Sequence, residues 1–436
     1  MEQNVKSLII IGSGPGGYKA AAYAASNGIS VTVFEAHEAG GTCLNSGCIP
    51  TKALCHDAGL ARLGVPTDFS VVRQRKDAIV AQLRNGVESL LAQPGITFVR
   101  ERATIVDDHT VVAGAGTYTA DRIIIATGSK AKLPPIPGIN LPGVMTSTEL
   151  LALTEVPRRL VIIGAGVIGL EFADVFAAMG AEVTVLEFMR ECLPQMDSDI
   201  AKRLRKQLER KGIAFELGAQ VKDITGSAPQ LSVAYERKGK PLSTEADTVL
   251  VATGRAACVD DLGLEAIGVE VSRRGIVVEP HTMRIPGHDI YAIGDVNGLQ
   301  MLAHAATFQG YRAVNDMLGR TDSIRLDVMP AAVFTQPEAA AVGPTEDQLK
   351  AEGAAYLCHK SFFRSNGKAL AMGQTEGIVK LITDTDDRLI ACHVLGPHAA
   401  DIVQEVAALI CCNATLAQMR DIVHIHPTLA EVLLEA

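Results

Sequence analysis

Two cysteines, Cys43 and Cys48, stand five positions apart in "GGTCLNSGCIPTKAL", with glycines ahead of them and Pro50 just behind. Such a pair can exchange with disulfides, ligate a metal, or sit as two ordinary buried thiols. Zinc sites favour ligands roughly two to four residues apart with a second pair elsewhere, and no second cluster accompanies this one. That counts against metal and leaves the other two readings open. Near the other end, "HIHPTLAE" places His426 before Pro427, with Glu431 at the start of a predicted helix. A carboxylate so placed orients an imidazole and raises its basicity. An imidazole titrating near ~6.5 can take a proton from a thiol and return it. His424 reads as structural. Cys411 and Cys412 fall in the apolar stretch "DIVQEVAALICCNA" and are expected in the core. Cys55, Cys192, Cys258, Cys358 and Cys392 lack a partner motif and receive the same expectation.

The chain that must position these groups has 436 residues, enough for roughly two to four domains. At 48% hydrophobic and 20% charged, it has the profile of an α/β enzyme rather than of a disordered or fibrous chain. A formal net charge of -9 argues against general nucleic-acid binding, which needs clustered Lys and Arg. No apolar run approaches the ~18 residues that span a bilayer. The start, "VKSLIIIGSGPGG", enters a strand and a glycine turn at once, without a targeting peptide. Nine cysteines in such a chain fit a reducing compartment, the cytoplasm or an organelle matrix.

The first two thirds are organised by a repeat. "SLIIIGSGPGGYKAAAYAASNGISVTVFE" is an apolar strand, a G-x-G-x-x-G turn (Gly12, Gly14, Gly17), an alanine-rich helix and a second strand ending at Glu35. "RLVIIGAGVIGLEFADVFAAMGAEVTVLE" repeats it with Gly164, Gly166, Gly169 and Glu187, displaced by the same interval at every glycine and at the acid. The glycines let the backbone approach a pyrophosphate, the helix N-terminus supplies positive dipole, and the acid accepts from ribose hydroxyls. One such turn is a weak signal, but two complete units in register are a strong one.

Each unit is followed by a strand closing in a T-G turn: "RIIIATGS" (Thr127, Gly128) and "TVLVATGR" (Thr253, Gly254). "DIYAIGDV" follows the second unit without a fingerprint of its own and is expected to complete the first domain. The Pro- and Gly-rich "SKAKLPPIPGINLPG" marks a linker. Beyond residue 327, runs such as "AAVFTQPEAAAVG" and "GIVKLITDTDDRLIACHVLG" read as antiparallel strands. The expected fold is therefore α/β, with two Rossmann-like domains and a C-terminal α+β domain. The boundaries fall at 1–141, 142–258, 259–327 (returning to the first domain) and 328–436.

Two dinucleotide units with a C-x-x-x-x-C just after the first resemble the flavin-dependent pyridine nucleotide disulfide oxidoreductases. The resemblance covers essentially the whole chain, through the T-G turns, "YAIGDV", "MLAHAA" and "HIHPTLAE". It implies that the first unit holds FAD, with Glu35 on the adenosine ribose, Asp295 on the ribityl chain and Ala303 along the flavin. It implies that Lys52 and Glu171 pair beside the isoalloxazine; by itself Glu171 is an ordinary acid near a helix N-terminus. Thr42, Ala103, Thr127, Gly128, Ser129, Val221 and Gly254 are carried over as further cofactor positions. The second unit holds a nicotinamide dinucleotide. Glu187 favours NAD by repelling the extra phosphate of NADP, and Phe188 and Pro194 stand where NADP-using relatives carry arginines, leaving Arg190 as the only base nearby.

The resemblance also implies that Cys43 and Cys48 form a redox-active disulfide, with Cys43 exchanging with substrate and Cys48 nearer the flavin. Their spacing then requires a bent helix, because a disulfide tolerates only about 4.4–6.8 Å between Cα atoms. His426 and Glu431 would reach the cysteines across a two-fold axis, so a homodimer is expected. Within the family the pattern best fits the dihydrolipoamide-oxidising branch, with lipoamide carried on a separate lipoyl-domain protein because no lipoyl domain precedes the first fingerprint. A glutathione reductase-like enzyme is the runner-up. A mercuric reductase-like enzyme is weighed on Cys411 and Cys412, and a FAD- and NAD-binding scaffold without catalysis is the non-enzyme alternative. Two departures bear on substrate access: the stretch after Cys48 is short, and the chain stops five residues after Glu431.

Overall fold

The structure, a computed structural model, describes residues 5–436. The chain divides into two compact units, one of residues up to 53, 73–132 and 254–326, the other of 54–72, 133–253 and 327–436.

In the first unit, β1 (Ser7–Ile11) and β2 (Ser30–Phe34) lie parallel, and strands Arg122–Ile125 and Ile96–Val99 extend the sheet on either side. Strand Ile290–Ala292, from "DIYAIGDV", adds the outer parallel edge next to Arg122–Ile125. The "LIII" run of β1 is apolar throughout because both faces are covered. Leu8 and Ile10 pack with Ala20, Ala21 and Ala24 of α1 (Pro15–Ser26) and with Ala313 and Val314 of helix Ala303–Met317. Ile9 and Ile11 pack instead against Ala103, Ile105, Val111 and Ala113. Those residues belong to a three-stranded antiparallel sheet over residues 103–119 that the sequence reading did not anticipate. Its strands are only four or five residues long, too short for a clear alternation signal.

The second unit repeats the layering. Strands Arg159–Ile163, Glu182–Glu187, Ala214–Leu217 and Thr248–Val251 form a parallel sheet with Val144–Met145 at its edge. Leu160 and Ile162 face helices, while Val161 and Ile163 face a second antiparallel sheet, over residues 219–246. The same unit holds an antiparallel sheet of five strands in the order Ala331–Val333, Glu338–Val342, Leu389–Gly396, Ile378–Thr383, Leu357–Phe362. Helix Ala399–Cys411 covers it with Ile402, Val403, Val406 and Ile410. No described helix is long and apolar enough to cross a membrane.

The expected burial of the unpartnered cysteines holds for Cys192 and Cys392 only. Cys55, Cys258 and Cys358 are half-buried, and Cys411 and Cys412 are exposed. The apolar stripe of helix Ala399–Cys411 ends at Ile410, so Cys411 is its final residue and Cys412 its cap, both turned outward.

Within the second unit, one lysine is buried to 1% exposure in strand Ile378–Thr383. The Lys380 ammonium donates to both oxygens of Asp197 at 2.7 Å and to Glu346 at 2.8 Å. Asp197 also caps helix Ser198–Arg210, so one ion cluster ties the end of the loop that follows Glu187 to the five-stranded sheet. Hydrogen bonds from Lys350 and Lys380 hold the Glu346 carboxyl down to about 2. Its folded value lies below the ordinary ~4.3, so its stabilisation is complete above that pH and is lost as pH falls through about 2. Lys380→Met, leaving Asp197 buried without its cation and Glu346 with Lys350 alone, is expected to cost ~3–5 kcal/mol at neutral pH. Chemical denaturation of the variant beside the parent checks this.

Candidate active site: a dithiol segment seated on a dinucleotide turn

Glu35, at the end of β2, turns one carboxylate oxygen back to the glycine turn, accepting from Ser13 N at 2.8 Å and Ser13 Oγ at 2.7 Å. Its other oxygen accepts from His37 N at 3.0 Å. Glu187 does the same in the second unit, accepting from Ala165 N at 2.5 Å and Met189 N at 2.7 Å. The first fingerprint glycine of each unit donates to the strand before the acid, Gly12 to Phe34 O at 2.7 Å and Gly164 to Leu186 O at 2.8 Å. The duplication read from the sequence is thus a duplication of hydrogen bonds.

What lies over the two turns differs. A Cβ on Gly41 would come within 2.7 Å of the Gly14 Cα. Gly40 and Gly41 have φ of 98° and 61°, a left-handed pair that lifts the chain over the first turn, and Gly40 N donates to Ser13 O at 3.0 Å. From this seat starts α2 (Gly41–Ser46), which carries Thr42, exposed, and Cys43, half-buried. Asn45 locks it by donating to Ala39 O and Gly41 O, both at 3.0 Å, while accepting from Arg84 at 2.8 Å. In the second unit no atom lies within 4 Å of where a Gly166 Cβ would be. The first turn is roofed by the cysteine segment, and the second has open space.

The bend required between the cysteines is a complete break. Gly47, with φ of -143° and ψ of -113°, ends α2, and α3 (Cys48–Arg62) begins at the next residue. A Cβ on Gly47 would stand 2.9 Å from Thr42 O and 3.3 Å from Cys43 Cα, so only glycine lets the second helix fold back on the first. Thr51 secures the return by donating its N at 3.1 Å and its hydroxyl at 2.7 Å to Gly47 O. The two cysteine side chains are thereby hydrogen-bonded to each other. That bond, then burial and the neighbouring Cys48 charge, push the Cys43 thiol well above its ordinary range, while the Cys48 backbone N–H and Lys52 pull the other way. Such a thiol holds its proton at neutral pH and needs a base to exchange.

The remaining first-unit positions gather at the ends of the sheet strands. Thr127 donates its hydroxyl to Cys258 O at 2.7 Å, and Cys258 N donates to Gly128 O at 2.9 Å. Ser129 donates to Asp295, in the short helix Gly294–Asn297, and Arg255, just past the second T-G turn, donates to Ser129 Oγ at 2.6 Å. The sequence reading named Ser129 and Asp295 and missed Arg255, whose only signal was its place beside Gly254. Ala303 opens helix Ala303–Met317, which packs against α1 where a Cβ on Gly16 would meet Ala306 O at 3.1 Å. Ala103 is buried, so it can present only its backbone. Two helix N-termini, of α1 and of Ala303–Met317, thus offer amides beside a ribose-type acid, a cradle that fits an anionic dinucleotide.

In the second unit, Glu171 is buried at 2% exposure on helix Val167–Ala178 and accepts from Phe334 N at 2.9 Å. Val221 is half-buried beside a bulge in strand Ala219–Ser227. His426 bonds through Nδ1 to Glu431 at 2.9 Å, and Thr428 N donates to the second carboxylate oxygen at 2.7 Å. Those two bonds hold the Glu431 carboxyl below its usual range. The expected helix here is a single short 3₁₀ turn, Ala430–Leu433. The imidazole itself is 79% exposed, and Val423 and Ile425 beside it are 96% and 80% exposed. Large apolar side chains left in water around a braced His-carboxylate pair mark a surface made to be covered. His424 is held by Glu405 at 2.8 Å, in keeping with a structural role.

Residues 6–310 match the pyridine nucleotide-disulphide oxidoreductase family, and residues 329–436 match the dimerisation domain of that family. The chain is 37% identical to the mitochondrial dihydrolipoyl dehydrogenase of Pisum sativum, over 98% of this chain and 90% of the relative. It is also 37% identical to the dihydrolipoyl dehydrogenase of Geobacillus stearothermophilus, over 98% and 94%. Among solved structures, the HOCl-induced flavoprotein disulfide reductase RclA from Escherichia coli aligns with a TM-score of 0.90 at 32% identity, covering 98% of each chain.

Gly47→Ala is expected to separate the cysteines while sparing the cradle. The variant should keep its bound flavin, read from visible absorbance, and lose roughly tenfold or more in disulfide turnover, since misplacement by ~1 Å can cost on that order or more.

Proposed function

The chain belongs to the pyridine nucleotide-disulphide oxidoreductase family, and we propose that it oxidises dihydrolipoamide to lipoamide with NAD+, as a homodimer using FAD and the Cys43–Cys48 pair. The lipoyl group is carried on a separate protein, and the enzyme works in the cytoplasm or an organelle matrix. Residues 1–141 and 259–327 bind FAD, 142–258 bind NAD, and 328–436 form the subunit interface. The observation that carries this reading is the cysteine segment folded back at Gly47 and seated on the first dinucleotide turn.

Bound FAD supplies a two-electron relay between the cysteine pair and NAD+. Glu35, Ser129 and Asp295 would hold its ribose and ribityl hydroxyls, helped by backbone amides at Gly14 and Ala303. Lys52 and Glu171 are the residues that the resemblance assigns to its ring. In the dithiol half-reaction, the partner subunit's His426 takes a proton on Nε2 from one substrate thiol, while Glu431 braces Nδ1. The thiolate attacks the Cys43 sulfur, the Cys43–Cys48 bond breaks, and its electron pair leaves on Cys48 as a thiolate. The second substrate thiol then attacks the sulfur joined to Cys43. Lipoamide closes its own disulfide as Cys43 departs with the proton held on His426, and the freed Nε2 takes the proton of the second thiol. The raised proton affinity of Cys43 suits it to that last step.

Steady-state assay of the purified yellow protein, with dihydrolipoamide and NAD+ beside glutathione disulfide and NADPH, tests the substrate. Higher activity with glutathione would overturn the assignment in favour of a glutathione reductase-like enzyme. His426→Gln is expected to lower lipoamide turnover by ~10²-fold or more and to remove a limb of the pH–rate profile. Loss of rate with an unchanged profile would place His426 outside the proton transfer.

A further inference from the structure

Strand Glu182–Glu187 buries Val183, Val185 and Leu186, but the next two residues invert that pattern. Phe188 is 67% exposed and Met189 48%. Their backbone is fixed, because Met189 N donates to Glu187 at 2.7 Å and Met189 O accepts from Gly218 N at 2.9 Å. A phenyl ring and a thioether are therefore held in water on a rigid loop, directly beyond the acid that marks the ribose position.

The duplication supplies an internal control. The corresponding residues of the first unit are Ala36 and His37, and His37 N makes the same hydrogen bond to its acid, at 3.0 Å. The backbone is equivalent, yet the first unit has a methyl group where the second has a phenyl ring. The two turns differ in parallel: Gly14 is covered by the cysteine segment, and Gly166 faces open space. A dinucleotide in the covered site is held by the segment over it. One that comes and goes at the open site needs a ready surface for its base. Exposed aromatic rings next to polar anchors are what base faces stack on.

We propose that Phe188, flanked by Met189, is the platform on which the adenine of NAD(H) stacks, so that Phe188 sets affinity for the base while Glu187 reads the ribose. The inference rests on the second unit being the NAD site. Binding to the FAD-loaded dimer is measured by calorimetry with ADP-ribose, which carries adenine but cannot exchange electrons, and with nicotinamide mononucleotide, which lacks adenine. Thermal midpoint and flavin content serve as folding controls, both expected unchanged because the side chain is exposed. Phe188→Ala should weaken ADP-ribose binding about tenfold, Phe188→Leu should recover little of it, and Phe188→Trp should restore it, with nicotinamide mononucleotide unaffected throughout. ADP-ribose binding to Phe188→Ala within about twofold of the parent, or full recovery with leucine, would overturn the stacking platform and leave the NAD site standing. Failure of the parent to bind both ADP-ribose and NADH would overturn the NAD site and the platform with it.

Discussion

Backbone can come as close to backbone as it does between Gly14 and Gly41 only where neither residue carries a side chain. That contact decides where the dithiol goes. The first glycine turn has its position from β1 and from the acid at the end of β2, and the left-handed pair Gly40–Gly41 sets the start of α2 directly upon it. From there Cys43 is two residues away, and the break at Gly47 turns Cys48 back toward it. The cysteine pair is thus brought onto the first glycine turn by glycines that permit the close approach, with Asn45 and Thr51 fastening the segment by hydrogen bonds.

The same constraint is what distinguishes two nearly identical units. Both orient a carboxylate with two backbone amides, and both layer a parallel sheet between helices and a small antiparallel sheet. Only the first has a following segment that folds over its turn. A covered site suits a group that stays, and an open one suits a substrate that exchanges. The hydrogen-bonded state of the pair adds a requirement: a sulfur that holds its proton calls for a base, and the braced, exposed His426 is the one we propose, brought up by another surface. The matched dimerisation domain and the bare Val423 and Ile425 point to the same need.

Much of this was legible in the sequence because it was written in glycine spacing and in acids at strand ends, which depend on local geometry. The two fingerprints, Glu35 and Glu187 sit on the elements expected for them, and the cysteine pair and the His426–Glu431 pair come together as expected, though on two helices rather than one bent helix and on a 3₁₀ turn rather than a helix. The antiparallel sheets over 103–119 and 219–246 were not legible, since the strands of both gain their burial from the parallel sheets they cover. The buried Lys380 was missed because its partners, Asp197 and Glu346, are far from it in the chain. Cys411 and Cys412 were misplaced because an apolar composition does not say where a helix ends. Gly47 was overlooked as a break because only the neighbouring backbone shows how little room it has.

The most direct measurement is a thiol count on the oxidised, FAD-loaded protein before and after anaerobic addition of NADH, with alkylation sites mapped by mass spectrometry. The exposed Cys411 and Cys412 should react in both states, and reduction should add two sites per chain, Cys43 and Cys48. An unchanged count, or new sites elsewhere, would contradict the assignment of these two cysteines as the electron-carrying pair.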